Sequence, residues 1–330
     1  MGVFSANGIK NIAVLTSGGD APGMNAAIRA VVRTAIYNKL KVTAVIHGYE
    51  GLIKAEYVNL ELSSVANIIQ RGGTIIKTGR CQEFFEPEGR EKAAKAFKQA
   101  SFDGLVAIGG DGTFTGANLL WNEHKIPVVG VPGTIDNDVF GTDYTIGFDT
   151  AVNTALEAID KIRDTAASHD RLFLVEVMGR NSGHIALEVG LAGGAEEVFI
   201  PENNVSIEEV CKIIERGIKR GKRSSILICA EGKVAGRSYE IAEQIKKSGG
   251  YEAKICILGH VQRGGSPTAK DRNLASRLGS AAVKYLMSGQ CDIMAGELNQ
   301  EVVPIALHDT FSKKKKINDD WIKLEKILSI

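Results

Sequence analysis

The sequence predicts an α/β protein with mostly parallel sheets. Short apolar runs rich in β-branched residues recur along its 330 residues, and stretches with a helical spacing of apolar residues lie between most of them. Two of the runs are followed by glycine-rich loops, and a third is followed by a loop with two aspartates. An alternation of strands and helices is typical of parallel sheets that helices cover on both faces.

Seven strands are predicted, each from one short apolar run. They span residues 12–15, 42–46, 105–108, 128–131, 172–177, 226–229 and 255–258. The clearest helix is predicted over about 149–168, where apolar residues recur at helical spacing. These residues are Val152, Ala155, Leu156, Ile159 and Ile162. The strand and helix pattern starts again after Gly147, which indicates a second α/β layer.

The length of the chain favours two domains, although length alone also allows a single large α/β unit. We expect two Rossmann-like three-layer α/β/α domains with the active site in the cleft between them. The first would comprise residues 1–146 and about 262–310, and the second residues 147–261 and about 311–330.

Composition excludes several classes of function. The formal net charge is only +1, so no basic field favours nucleic acid, and no apolar run approaches the length that spans a membrane. Five cysteines are an odd number and form no Cys-x-x-Cys pair, which indicates reduced thiols. We therefore expect a cytoplasmic protein that binds neither nucleic acid nor membrane.

Two glycine-rich loops and one acidic loop, named in that order, carry most of the chemistry. They are Thr-Ser-Gly-Gly-Asp at 16–20, Gly-Gly-Asp-Gly-Thr at 109–113 and Pro-Gly-Thr-Ile-Asp-Asn-Asp at 132–138. Each would open at the carboxyl end of a strand, where open α/β sheets bind ligands. Gly18 and Gly19 precede a helix start, which favours an anion site, although a tight strand-to-helix turn is the alternative. Neither the dinucleotide fingerprint nor the P-loop pattern is present.

Three aspartates follow these strands. Asp111 stands between glycines, where it could hold Mg²⁺ or simply cap the next helix. Asp136 and Asp138 are two residues apart, so in an extended loop both carboxylates would point the same way. Phosphoryl transfer to an alcohol needs such a base beside a metal and cations. The alternative for this pair is an Asx turn.

Four arginines adjoin predicted strand or loop ends. They are Arg80, Arg171, Arg180 and Arg263. A guanidinium beside glycine can bind a phosphate with paired hydrogen bonds. Any one of them could instead form a surface ion pair.

Five motifs in order resemble the bacterial ATP-dependent 6-phosphofructokinases over nearly the whole chain. The motifs are Thr-Ser-Gly-Gly-Asp-Ala-Pro-Gly-Met-Asn, Gly-Gly-Asp-Gly-Thr, Pro-Gly-Thr-Ile-Asp-Asn-Asp, Met-Gly-Arg at 178–180 and Leu-Gly-His-Val-Gln-Arg-Gly-Gly-Ser-Pro at 258–267. The resemblance implies transfer of the γ-phosphoryl group of ATP to the 1-hydroxyl of fructose 6-phosphate. The products would be fructose 1,6-bisphosphate and ADP, in a committing step of glycolysis.

The resemblance also implies residue roles. Asp136 would be the base and Asp138 would assist it, with Thr134 and Arg180 near the transferring phosphoryl group. Asp111 would hold Mg²⁺. The rest of the ATP site would be Gly19, Arg80, Cys81, Gly110, Gly112 and Thr113. The sugar phosphate would meet Thr134, Asp136 and Arg180 as well as Ile135, Met178, Gly179, Glu231, His260, Val261, Gln262 and Arg263.

A homotetramer is implied as well, with Arg171 and Lys254 reaching the sugar phosphate of a neighbouring subunit. Lys254 replaces the arginine usual in the family, so we expect a weaker grip on the sugar phosphate. An effector site for ADP or phosphoenolpyruvate would lie between subunits. Its residues would be Arg29, Arg33, Arg163, Gly194, Glu196, Arg220 and Lys222. Leu62, Ala66 and Asn67 depart from that pattern, which predicts an altered effector response.

Two rival functions are weighed against this resemblance. A pyrophosphate-dependent relative carries Asp and Lys where this chain has Gly112 and Gly133, so both glycines favour ATP. A non-catalytic regulatory paralogue is disfavoured because Asp111, Asp136 and Asp138 are all present. A dinucleotide-dependent oxidoreductase comes last, because the glycine spacing fails.

Overall fold

The computed structural model describes residues 1–4, 8–169, 171–222 and 224–329, and these form two compact units. The first unit comprises Met1–Ile135, Val139–Asp149 and Arg263–Lys315. The second comprises Asp136–Asp138, Thr150–Gln262 and Lys316–Ile330. Both contain a sheet with flanking helices, so the predicted α/β class is confirmed.

The strands and helices alternate along most of the chain. The strands are β1 (Gly2–Val3), β2 (Asn11–Thr16), β3 (Lys41–Val45), β4 (Tyr57–Leu60), β5 (Gly104–Gly109), β6 (Val128–Pro132), β7 (Leu172–Val177), β8 (Glu197–Phe199), β9 (Ser225–Ala230), β10 (Ala253–Ile257), β11 (Gln290–Cys291), β12 (Ile293–Leu298) and β13 (Glu301–Ala306). The helices are α1 (Met24–Tyr37), α2 (Tyr49–Lys54), α3 (Pro87–Gln99), α4 (Asp111–His124), α5 (Phe148–His169), α6 (His184–Gly193), α7 (Ile207–Lys219), α8 (Arg237–Gly249), α9 (Ala269–Met287), α10 (Leu307–Ser312) and α11 (Asp319–Leu328).

The first unit is built on a seven-stranded sheet in the order β13-β12-β6-β5-β2-β3-β4. Its inner strands pair in parallel, whereas β4 and β13 pair antiparallel at the two edges. Strand β5 is buried along its whole length, as expected for a strand that helices cover on both faces. The carboxyl ends of β2, β5 and β6 therefore meet at one edge of the sheet, and the three predicted loops leave from there.

Helices α1 and α9 pack closely together on this sheet. Their approach depends on Gly279, where a Cβ atom would lie 2.7 Å from the carbonyl oxygen of Ala27. On the opposite side, Phe114, Leu120 and Leu15 belong to the buried core of this unit.

The second unit is built on four parallel strands in the order β10-β7-β9-β8. Leu174, Leu227 and Phe199 form its core together with Ile214 and Ile245 from α7 and α8. Strand β9 is buried over nearly its whole length, whereas the residues of β10 at the edge are all half-buried or exposed. One edge of this sheet is therefore accessible along β10.

All seven predicted strands are present, with ends shifted by at most two residues, and the helix predicted over about 149–168 is α5. Sequence patterns missed the other strands among the described residues, namely β1, β4, β8, β11, β12 and β13. Strand β8 has only three residues, and β13 contains Pro304, which is tolerated because β13 lies at an edge. All five cysteines are free. Among the described residues, none of the helices is long and apolar enough to cross a membrane.

Candidate active site

The first glycine-rich loop is tied to the segment that carries Arg80 and Cys81. Gly18 adopts a left-handed φ of +84°, its N–H donates to the carbonyl oxygen of Gly79 at 3.2 Å, and its own carbonyl accepts from Thr78 Oγ1 at 2.9 Å. Gly19 and Arg80, the next residue on each side, are both exposed. The structure therefore brings these predicted nucleotide residues together.

The second glycine-rich loop joins the same cluster. Helix α4 begins at Asp111, and Thr113 in its first turn donates from Oγ1 to the carbonyl oxygen of Ser17 at 3.1 Å. Tyr49 fixes this turn, because its hydroxyl donates to the carbonyl of Thr113 at 2.6 Å. The side chain of Thr113 is buried and committed to the loop. Gly112 is exposed, and a Cβ atom there would meet nothing within 4 Å.

Arg263 contacts the first loop. Its Nη1 donates to the carbonyl oxygen of Asp20 at 2.8 Å, and a Cβ atom on Gly19 would collide with its guanidinium. A side chain at position 19 would therefore displace the Arg263 guanidinium, a contact that the sequence did not reveal. The resemblance assigned Arg263 to the sugar phosphate, and in this structure its guanidinium lies against Gly19 and Asp20.

The donor set around Asp111 fits Mg²⁺ bound through a nucleotide. No group of three or more His, Cys, Asp or Glu side chains that could hold a metal occurs in the described part of the chain. Mg²⁺ commonly uses one or two carboxylates together with substrate phosphates and water. A single carboxylate at the start of α4, beside a glycine-rich loop, matches that requirement.

The acidic loop is turned rather than extended. Asn137 has a left-handed φ of +51°, so the alternation of extended backbone, by which Asp136 and Asp138 would point the same way, does not apply to this loop. Asp136 is buried, and its carbonyl oxygen accepts from Ser182 Oγ at 3.1 Å. Asp138 is partly exposed. The turn at Asn137 sets the position of both carboxylates.

The Met-Gly-Arg segment makes a second strained turn. Gly179 has φ +137° and Arg180 φ +50°, and Ser182 N–H donates back to the carbonyl of Gly179 at 2.9 Å. A left-handed arginine is uncommon and marks a backbone that its surroundings hold in place. Ser182 thus links this segment, through its hydroxyl, to Asp136.

Glu231 lies beside the same segment. Its Oε1 accepts from the backbone N–H of Arg180 at 3.4 Å, and its own N–H donates to the carbonyl of Val177 at 2.9 Å. Burial raises the pKa of the Glu231 carboxyl, and the nearby charge of Glu176 raises it further, whereas Arg180 acts against both. Glu231 is therefore a hydrogen-bond acceptor at the carboxyl end of the second sheet.

The segment after β10 carries the other predicted sugar-phosphate residues. Gln262 is fully buried, with Oε1 accepting from Met178 N–H at 2.8 Å and Nε2 donating to the carbonyl of Ala151 at 3.3 Å. Its side chain is therefore occupied by main-chain groups. His260 and Val261, in contrast, are exposed.

Arg171 and Lys254 lie away from this cluster. Arg171 immediately precedes β7, and Lys254 is the second residue of β10, so both stand at the amino ends of parallel strands. Met178 follows the carboxyl end of β7. The six residues of β7 separate the two ends of the sheet by roughly 20 Å. The side chains of Arg171 and Lys254 therefore do not reach the Met178 end of their own sheet.

The predicted effector residues fall in both units. Arg29 and Arg33 lie one turn apart on α1, and Arg33 lines a cavity of about 820 Å³ together with Leu62. In the second unit, Arg163 donates to the carbonyls of Gly193 and Gly194. A smaller cavity of about 100 Å³ there has several of the predicted residues in its lining, namely Glu196, Arg220 and Lys222.

Sequence reasoning missed two residues of this region. Ser182 joins the acidic loop to the Met-Gly-Arg turn, and a serine in a loop carries no signal of that role. Glu176 was counted only as part of a strand. Its signal was a charged residue within the apolar run 172–177, because such a residue is seldom buried without partners.

Comparisons with known proteins identify the family of this chain. The sequence profile described as phosphofructokinase matches residues 11–286. The chain belongs to the phosphofructokinase family. A relative from Thermus thermophilus, named ATP-dependent 6-phosphofructokinase 1, is 56% identical over 322 residues, which are 98% of this chain and 100% of the relative. The resemblance that the five motifs predicted is confirmed.

Two solved phosphofructokinases share the fold. The yeast enzyme from Saccharomyces cerevisiae has a TM-score of 0.88 and 36% identity over 97% of this chain, which spans only 48% of that longer yeast chain. A pyrophosphate-dependent phosphofructokinase from Marinobacter aquaeolei has a TM-score of 0.82 over 96% of this chain and 88% of its own. At 23% identity, that second match concerns the fold alone.

Proposed function

We propose that this phosphofructokinase transfers the γ-phosphoryl group of ATP to the 1-hydroxyl of fructose 6-phosphate. The products are fructose 1,6-bisphosphate and ADP. The observation that carries the proposal is the buried Asp136, held through Ser182 to the Arg180 turn. A base on a rigid loop beside a cation is what phosphoryl transfer to an alcohol requires.

We assign the proton chemistry to the acidic loop. Asp136 accepts the proton of the 1-hydroxyl, and Asp138 assists it. Thr134 and Arg180 stabilise the negative charge on the phosphoryl group during its transfer. The left-handed backbone at Asn137 and Arg180 supports these roles, because strain of this kind concentrates at functional sites.

We assign the nucleotide to the loops of the first unit. The hydrogen bonds that join Gly18, Gly79 and Thr113 into one cluster support this assignment. Asp111 would hold Mg²⁺, which neutralises phosphate charge during transfer. The exposed Gly112 leaves room beside the start of α4, which suits a bulky nucleoside triphosphate.

We assign the sugar phosphate to the second unit and propose a homotetramer. Arg171 and Lys254 stand at the end of their sheet opposite to Met178, so their proposed contact with the sugar phosphate requires a second copy. The accessible edge strand β10 supports contact between copies, because exposed edges are usually covered. We also propose a cytoplasmic location, which the five free cysteines favour.

We propose that ADP or phosphoenolpyruvate regulates the enzyme through the effector residues. The grouping of Glu196, Arg220 and Lys222 at one small cavity supports an anion site. Leu62 beside Arg33 in place of a cation predicts an altered response. Rates that ADP and phosphoenolpyruvate leave unchanged at sub-saturating fructose 6-phosphate would contradict this proposal.

The function is tested by offering ATP and then pyrophosphate with fructose 6-phosphate, using wild type and Asp136→Ser. We expect turnover with ATP only, and a loss of roughly 10²–10⁴-fold in kcat for the variant, the range that a general base supplies. ATP binding, measured by titration, should stay nearly unchanged. Asp160→Asn, on the exposed side of α5, serves as the control. Turnover with pyrophosphate but not with ATP would reject ATP as the phosphoryl donor. A normal kcat in Asp136→Ser would reject Asp136 as the base.

A further inference from the structure

The buried carboxylate of Glu176 accepts three hydrogen bonds. Only 1% of the residue is exposed, although it stands within the apolar strand β7. One carboxylate oxygen accepts from Gly236 N–H at 2.7 Å. The other accepts from Ser238 N–H at 2.8 Å and from Ser238 Oγ at 2.7 Å. The desolvated charge is therefore met by donors on one short segment.

That segment is the amino end of α8, which lacks a cap of its own. The N-cap position is Gly236, which has no side chain and adopts a left-handed φ of +110°. The first N–H groups of a helix have no partners within the helix, and a negative charge there also benefits from the helix dipole. Glu176 thus supplies from another strand the cap that the sequence around α8 does not provide.

The capped segment is continuous with Glu231. The loop from Glu231 to Gly236 is held at its first residue by the hydrogen bond from Glu231 N–H to Val177, and at its last residue by Glu176. Its two anchors on β7 are therefore adjacent residues. Glycine at 232, with φ +72°, leaves the loop little stiffness of its own. The position of the Glu231 carboxylate depends on both anchors.

The main chain of Glu176 also binds the segment that follows β10. Its carbonyl oxygen accepts from Leu258 N–H at 3.0 Å, where the chain enters the turn that carries His260. Met178 is only two residues further along the chain, directly after the end of β7. Three parts of the proposed sugar-phosphate site thus converge on one buried residue.

We infer that Glu176 is a positioning residue for fructose 6-phosphate binding, because it fixes the loop that presents Glu231. This inference rests on the proposed role of Glu231 and adds a residue that contacts no substrate itself. Loss of the cap should let the Glu231 loop move relative to Arg180. The residues proposed to bind the nucleotide lie in the first unit, so loss of this cap should leave ATP binding unchanged.

The test compares Glu176→Gln with wild type in the full-length enzyme. The amide has nearly the size of the carboxylate but places an NH₂ group against N–H donors. We expect KM for fructose 6-phosphate to rise roughly tenfold, as fits the loss of a charged hydrogen bond, while KM for ATP changes less than about twofold. Ser238→Ala removes one donor and should shift the same constant in the same direction by a smaller factor. It keeps the proposal testable if the glutamine variant does not fold.

Two further variants separate the explanations. Ser206→Ala removes the side-chain cap of α7, where Ser206 Oγ accepts from Glu209 N–H at 3.1 Å, and should lower the melting temperature without changing either KM. Glu231→Gln should raise KM for fructose 6-phosphate. If it does not, the role proposed for Glu231 fails. If it does while Glu176→Gln and Ser238→Ala leave the ratio of the two KM values unchanged, the positioning role alone is overturned.

Discussion

Two non-glycine residues of the proposed site, Asn137 and Arg180, hold left-handed backbone conformations. Asparagine tolerates this region, whereas arginine has no local reason to adopt it. The sequence identified both segments as motifs but gave no hint of their conformation, because the hydrogen bonds around Arg180 involve a loop serine and a glutamate 51 residues away. Ser182 binds back to Gly179, and Glu231 accepts from Arg180.

Gly112 offers a direct test of donor choice at the level of one residue. Gly112→Asp should lower kcat/KM for ATP by roughly 5- to 150-fold, since roughly 1–3 kcal/mol is lost when a charged group is opposed or left unpaired. The fold should tolerate it, because a Cβ atom there meets nothing within 4 Å and an acid suits the first turn of α4. Steady-state kinetics and a melting curve measure the two effects.

Gly112→Ala is the matched control, since it adds the Cβ atom without the charge. It should retain most of the activity with ATP. Equal losses in the alanine and aspartate variants would mean that space rather than charge decides, and the argument for ATP from position 112 would fall.

Among the secondary-structure elements, parallel strands decide which residues can meet. Periodicity predicted β2, β5 and β6 and therefore the edge at which their loops gather. The same patterns predicted strands that begin directly after Arg171 and Lys254, at the amino ends of β7 and β10. The cap on α8 was invisible at this level, because Glu176 and Gly236 are 60 residues apart in the chain.

Strand β10 carries the next prediction. Lys254→Arg should lower the half-saturation concentration for fructose 6-phosphate several-fold, because a guanidinium binds phosphate with two hydrogen bonds and an ammonium does not. Saturation curves at fixed ATP measure the constant. Lys247→Arg, on the exposed side of α8, makes the same exchange away from β10 and should change nothing. An unimproved constant in Lys254→Arg would exclude this residue from the sugar-phosphate contact.

For the whole molecule, the domain boundaries that the sequence suggested stay a prediction, supported by two compact units with similar limits. Stability of the second unit involves a feature unrelated to its proposed chemistry. Glu325 on α11 and Glu197 on β8 are both buried, with 4% of each residue exposed. Burial, and then the charge of Glu197, raises the pKa of Glu325 to about 8. Lys326 opposes this effect, and Glu209 adds a further negative charge near Glu197.

This acid pair predicts stability that falls as pH rises. Between the ordinary carboxyl pKa of 4.5 and about 8, the folded protein holds a proton that the unfolded chain has released, so the free energy of unfolding decreases over that interval. Glu325→Gln should weaken the dependence, part of which remains because burial also raises the pKa of Glu197, and should stabilise the protein at pH 8.5 by on the order of 2 kcal/mol. Melting temperatures at pH 5.5 and 8.5 give the measurement.

Glu215→Gln is the control, because Glu215 is an exposed residue that pairs with Lys219 on α7. It should leave the difference between the two pH values as in wild type. A Glu325→Gln protein that loses stability with pH as steeply as wild type would show that this carboxyl group is ionised at neutral pH in the fold.

The sequence by itself determined the α/β class, the strand ends where the three loops gather, and membership in the phosphofructokinase family. These properties follow from local periodicity and from motifs that are continuous in the chain. Only the tertiary structure decided that Arg263 lies against Gly19, that Gln262 is buried between main-chain groups, and that Glu176 caps α8. Each of these contacts joins residues far apart in sequence, and buried polar groups must find partners wherever the fold supplies them.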